Sequence, residues 1–185
     1  MSLLCLFLGG ALVLSVLQQV QSKYINSFAG PFIVVAHTIE PCPSDGSVVL
    51  MLRPSHFYPA RPFDRQTLTG QMWSKHNLTD NLLAHVDMAV RSNNQWKDNA
   101  FVFKFPNSGC SVLRDHLPDM WRIMGHVVVK NESVSWTFPH FPVMPYGRYK
   151  FRVVTRFMNK AAAIPLSCLT VDCEIIPKPT VEPKQ

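Results

Sequence analysis

The sequence predicts a mainly β domain, an antiparallel cup or sandwich with one short helix. Three observations carry that prediction. Segments of alternating apolar and polar residues recur along the chain, bounded by Gly, Pro or Asp turn signals. Only one stretch departs to helical spacing. A composition of 47% hydrophobic and 11% aromatic residues supplies a core and excludes disorder for most of the chain. Strands with one wet and one dry face belong to antiparallel sheets, and several at short spacing make a sandwich or cup.

The expected elements run as follows. Phe32 to Ile39 is rich in β-branched residues. Ser47 to Leu52 is a short apolar run between Asp45-Gly46 and Pro54. From Pro54 to Phe63 the chain mixes Pro54, Pro59 and Pro62 with Phe57, Tyr58 and Phe63, and should form an irregular exposed loop. From Ala84 to Val90, Val86, Met88 and Val90 alternate with His85, Asp87 and Ala89. Phe101, Phe103 and Phe105 alternate with Val102 and Lys104. After Pro145-Tyr146-Gly147, a long strand puts Tyr149, Phe151, Val153 and Phe157 opposite Lys150, Arg152 and Arg156. The last strand, Leu166 to Ile176, sets Leu169, Val171, Cys173 and Ile175 against Cys168, Thr170, Asp172 and Glu174.

Helical spacing appears between Ser111 and Met124, through Val112, Leu113, Leu117, Met120, Trp121, Ile123 and Met124. Ser108 or Ser111 can cap it. Pro118 should split it into two short turns or helices, since an interior proline costs about 3 kcal/mol.

The first 22 residues contain no Asp, Glu, Lys, Arg or His. An apolar middle, Leu3 to Leu17, turns polar at Gln18, and Val20-Gln21-Ser22 suits a signal peptidase. The run is short for a transmembrane span. It lacks the usual basic residue before the apolar stretch. Residues 1–22 therefore read as a cleaved secretory signal, 23–176 as one domain, and 177–185, with Pro177, Pro179 and Pro183, as a disordered tail. The expected location is extracellular.

Secretion sets the reading of Cys42, Cys110, Cys168 and Cys173 as two disulfides. No CxxC pair or zinc-finger histidine spacing suggests a metal. If the last strand is extended, Cys168 and Cys173 stand roughly 16 Å apart, too far to join each other. Each then pairs with either Cys42 or Cys110. The sequons Asn77-Leu78-Thr79 and Asn131-Glu132-Ser133 make Asn77 and Asn131 glycosylation candidates. The net charge of +6 admits transient contact with an anionic membrane surface, but the basic residues are scattered. They form no nucleic-acid arm.

Seven histidines invite an enzyme reading, yet no GxSxG, HExxH, glycine-rich phosphate loop or DxDxDG run accompanies them. Asp115 and His116 are adjacent, so they do not face each other on a helix. Neither a catalytic residue nor a cofactor is expected. What remains is binding. Phe101, Phe103, Phe105, Met120, Trp121 and Met124 are the candidate walls of an apolar cavity for a lipid or other small hydrophobic ligand, with Met suited to variable apolar shapes. The alternative is an extracellular interaction protein with a filled core, recognised through its loops.

The stretch Phe138-Pro139-His140-Phe141-Pro142-Val143-Met144-Pro145-Tyr146-Gly147-Arg148-Tyr149, with the ending Leu166-Ser167-Cys168-Leu169-Thr170-Val171, resembles the ganglioside activator family of lipid-transfer proteins. It is also similar to secreted arthropod proteins, some chemosensory, of the same β-cup type. Leu68-Thr69-Gly70-Gln71, the strand through Val86, and Asn99 to Cys110 keep the family's order. The resemblance spans roughly residues 28 to 176. It implies a β-cup around a cavity for acyl chains, with Cys42 paired to Cys168 and Cys110 left for Cys173. This chain has cysteines for two bridges where the family carries four, and lacks the cysteine-rich loop near the cavity mouth. Ganglioside specificity and a hydrolase partner therefore do not carry over.

Overall fold

In the computed structural model, residues 28–106, 108–124, 126–158 and 164–179 are described, so the expected signal segment lies outside them. The strands are β1 (Ala29–Gly30), β2 (Phe32–Pro41), β3 (Val48–Pro54), β4 (Gln66–Ser74), β5 (Leu82–Ser92), β6 (Gln95–Phe105), β7 (Val128–Val134), β8 (Met144–Pro145), β9 (Gly147–Phe157) and β10 (Ser167–Pro177). Two helices, α1 (Gly109–His116) and α2 (Pro118–Ile123), sit between β6 and β7. A five-stranded sheet has the order β2-β10-β9-β5-β6 and a three-stranded sheet the order β3-β4-β7. β1 pairs with β8. Every pairing is antiparallel. The fold is the mainly β, sandwich- or cup-like architecture the sequence predicts.

The period-two pattern places side chains as expected in the large sheet. Met88, Tyr149, Cys173 and Ile175 are buried together. The opposite face is tied by cross-strand ion pairs, Arg148 Nε to Asp172 Oδ1 at 2.8 Å and Arg152 Nη2 to Asp87 Oδ2 at 2.6 Å. Lys150 lies over the Trp96 ring at 4.5 Å. β5 and β6 form a hairpin through Asn93 and Asn94, whose φ values of 51° and 59° suit a two-residue turn that follows the strand twist.

Two strands of the small sheet escape the alternation. In β4 the pattern is broken at Gly70, where φ is +154° and the register with β7 slips. A Cβ at Gly70 would collide with the Met51 carbonyl oxygen, so the residue permits close approach of β3. In β7 the buried residues Val129 and Val134 are separated by mostly exposed Lys130-Asn131-Glu132-Ser133.

The helical run is split in two at Pro118, as the sequence predicts, so the domain carries two short helices and not one. Pro118 occupies the first position of α2, where its missing N–H costs nothing. Ser108 stands at the N-cap of α1 but makes no side-chain cap. The cap comes from Asp80 instead. Its Oδ1 accepts from the Ser111 N–H at 2.8 Å and its Oδ2 from the Ser111 hydroxyl at 2.7 Å. These bonds hold the Asp80 carboxyl below the usual carboxylate range. Gly109 brings α1 against β5, since a Cβ there would press on Leu82.

The small sheet and α2 share a core in which Leu52, Leu68, Ile123, Val129 and Val134 are almost fully buried. Ile39 of β2 reaches into this core, and one polar side chain adds a further tie to the large sheet. Gln66, at the start of β4, is 5% exposed. Its Nε2 donates to the Ala36 carbonyl at 2.8 Å and the Ser55 carbonyl at 2.7 Å. Its Oε1 accepts from the Ala36 N–H at 2.9 Å and the Trp136 Nε1–H at 3.1 Å.

Cys42, just beyond β2, is bridged to Cys168 at the start of β10. The expected second bridge is not formed: Cys110 and Cys173 are both free. Cys173 is 1% exposed and turns into the interior of the large sheet, opposite Tyr149. Cys110 lies in the first turn of α1, within the field of Asp80 and Arg114. Two residues expected in the disordered tail are ordered. Pro177 still pairs with Phe32, and the Lys178 N–H donates to the Pro31 carbonyl at 2.9 Å. Residues 180–185 lie outside those described.

Replacing Gln66 with Leu removes four hydrogen bonds and orphans the Ala36 groups and the Trp136 indole. A loss of about 2–4 kcal/mol is expected, read from denaturant midpoints. Peptide mapping should join Cys42 to Cys168, and alkylation after unfolding should label Cys110 and Cys173. Breaking the bridge with Cys42→Ser should cost about 2–5 kcal/mol.

Candidate ligand-binding site

A cavity of about 220 Å³ lies over the inner face of the large sheet. Its floor is built by alternate residues of five strands, among them Ala36, Ala84, Val86, Val153 and Cys173. Small or β-branched residues at these positions leave the space open. The roof is α1, through Val112, Leu113 and His116, and the segment after β7, through Trp136, Phe138 and Phe141. The Asp80 cap and the Gly109–Leu82 contact fix the angle at which α1 covers the sheet. His116 Nδ1 is 3.1 Å from the Val112 carbonyl, which turns the imidazole back on its own helix. With Thr155, His116 is one of few polar side chains in an otherwise apolar lining.

The six candidate wall residues divide. Phe103 and Phe105 line the cavity, their rings stacked with centroids 6.3 Å apart. Phe101 continues the stack at 6.5 Å from Phe103 but is 40% exposed and lies outside the lining. Met120 is 7% exposed and packs into the core of the small sheet. Met124 borders a separate space of about 140 Å³ beside Met72 and Trp73. Trp121 is exposed, with the Arg114 guanidinium 5.8 Å from its ring. Met120, Trp121 and Met124 are thus corrected from cavity wall to neighbouring core and surface. The proline at the start of α2 turns that helix toward the small sheet, so α1 supplies the covering side chains. The sequence signal was present in Val112, Leu113 and Leu117, one stripe earlier on the same periodic run.

A wider recess of about 500 Å³ adjoins the cavity. The two share Val34, Trp136, Phe138 and Phe141 as wall residues. Phe57, Pro62 and Phe63, from the irregular loop, form its outer side. Asn77 and Asn131 are both exposed, away from either space, although the Asn131 Oδ1 accepts a bond from the Thr69 hydroxyl at 3.1 Å. Among the described residues no three His, Cys, Asp or Glu gather to hold a metal ion. No helix there is long and apolar enough to cross a membrane.

Burial pushes the Cys173 thiol up from 9.0 to about 12, with Asp172 adding to the shift. The neutral thiol therefore favours the folded state fully below pH 9.0, and that contribution is lost as pH rises towards about 12. Cys173→Val should flatten the alkaline fall in stability over this window, measured by denaturant midpoints at successive pH. Phe103→Asp should cost at least about 3 kcal/mol, because it removes an aromatic wall and sets a charge in an apolar site.

No family model matches the chain, and no curated protein matches it.

Proposed function

We propose that the protein is a secreted, non-enzymatic binder of a small hydrophobic ligand, held in the cavity between the large sheet and α1. One observation carries the reading: a space of about 220 Å³ walled almost wholly by apolar side chains. Leaving such a space unfilled costs on the order of a few kcal/mol in lost packing, by the cavity coefficient of about 24 cal/mol per Å³. A filled core would need only larger residues at Ala36 or Ala84. A ligand regains the same contacts, and each Å² of apolar surface it removes from water is worth about 25 cal/mol. The Cys42–Cys168 bridge is compatible with an oxidising compartment. Export, glycans on Asn77 and Asn131, and kinship with the ganglioside activator type of β-cup belong to the same proposal. Transient approach to an anionic membrane suits the net charge of +6.

Native mass spectrometry of purified protein should reveal a co-purifying hydrophobe. A fluorescent fatty-acid probe should bind and be displaced by unlabelled lipid. Val153→Phe, which fills the floor, should lower probe affinity at least about tenfold while the disulfide and the cooperative unfolding transition persist. Correctly folded wild-type protein with no displaceable binding would leave the filled-core interaction protein as the surviving reading.

A further inference from the structure

The recess beside the cavity differs from it in charge. Its wall carries Arg65, Lys178 and Asp64, whereas the inner cavity carries no acidic or basic side chain apart from His116. Asp64 is already engaged, its Oδ2 lying 3.3 Å from Arg61 Nε. Arg65 and Lys178 have no carboxylate partner within ion-pair distance among the described residues. Hydrogen bonds hold the backbone beside both cations. Arg65 immediately precedes the buried anchor Gln66, and Lys178 is tied through its N–H to Pro31. A dry chamber thus shares a wall with a wetter one bearing two free positive charges.

From this juxtaposition we propose that the ligand is an amphiphile with an acidic head, its chain in the inner cavity and its carboxylate or phosphate at Arg65 and Lys178. The proposal rests on the hydrophobic-binder reading and specifies its ligand. A charged head cannot enter the inner cavity, where a carboxylate would lose its hydration without a counter-ion. In the recess, the Arg65 guanidinium can take an oxyanion through two parallel N–H donors, and Lys178 adds a point charge. Phe138 and Phe141, common to both spaces, stand where the first methylenes must pass.

The test compares a long-chain fatty acid, the alkyl phosphate and the alcohol of the same chain length, each as competitor of the fluorescent probe. Wild-type protein should prefer the acid and the phosphate to the alcohol by about tenfold, and added salt should shrink the difference. In the double variant Arg65→Gln, Lys178→Gln the preference should vanish while the alcohol keeps its affinity. Both residues are exposed, so the fold should survive, and an unchanged unfolding midpoint checks this. Inorganic phosphate alone should not displace the probe. Equal affinity for acid and alcohol, or a preference that persists in the double variant, overturns the acidic-head assignment but leaves the cavity reading standing. Displacement by inorganic phosphate as effective as that by the amphiphile reduces the recess to a plain anion site and also overturns it. Binding of none of the three overturns the hydrophobic-binder reading itself.

Discussion

The side chain of Gln66 is the junction on which both halves of the molecule depend. Among the described residues the outer edge of β2 faces no further strand, so the N–H and carbonyl of Ala36 need partners from elsewhere. A primary amide has the donor and acceptor of a peptide group, and Gln66 presents both to Ala36. It thereby acts as a single residue's worth of strand, linking the large sheet to β4. Its remaining bonds reach Ser55 and Trp136, which set the irregular loop and the start of the cavity roof. A buried polar group of this kind is stabilising only when every partner is in place, so position 66 fixes where the two sheets part and where the recess opens.

The large sheet was legible because its strands obey a period of two over many residues. Tyr149, Phe151 and Val153 face inward and Arg152 outward, as the pattern requires. Pro118 likewise marked the break between helices. Of the small sheet only β3 was legible, as the apolar run Ser47 to Leu52; β4 carries a bulge at Gly70, and β7 buries only Val129 and Val134. The site was half legible. Phe103 and Phe105 follow from strand alternation. The choice between α1 and α2 as roof depends on how each helix docks, which Asp80 and Leu82 decide from distant points in the chain. The second cysteine pair failed for a similar reason. Strand geometry excluded a bridge between Cys168 and Cys173 but carried no information on where Cys110 points.

The cavity and the core share one economy of side-chain size. Around α2 and the small sheet, Leu52, Leu68 and Ile123 fill their space to almost zero exposure. Over the large sheet, Ala36 and Ala84 occupy positions that a Leu would close. The two sheets thus give the molecule a solid half and a hollow half. The difference lies in a few inward residues and in the contact of α1 with β6, where the His116 ring centroid stands 5.5 Å from that of Phe105.

The pairing of β2 with β10 has a consequence for biosynthesis. The hairpin of β5 and β6 can form as soon as it is made, since its partners are joined by two residues. β2 cannot, because its sheet partner is β10 and the bridge that locks them spans 126 residues. During translation the Val34-Val35-Ala36 edge must wait unpaired while nearly the whole domain is produced. Such long-range closure makes for slow assembly and a prolonged aggregation hazard. The protein's yield in a cell should therefore be governed by the chaperones and thiol oxidants it meets after release from the ribosome, more than by the strength of its finished core.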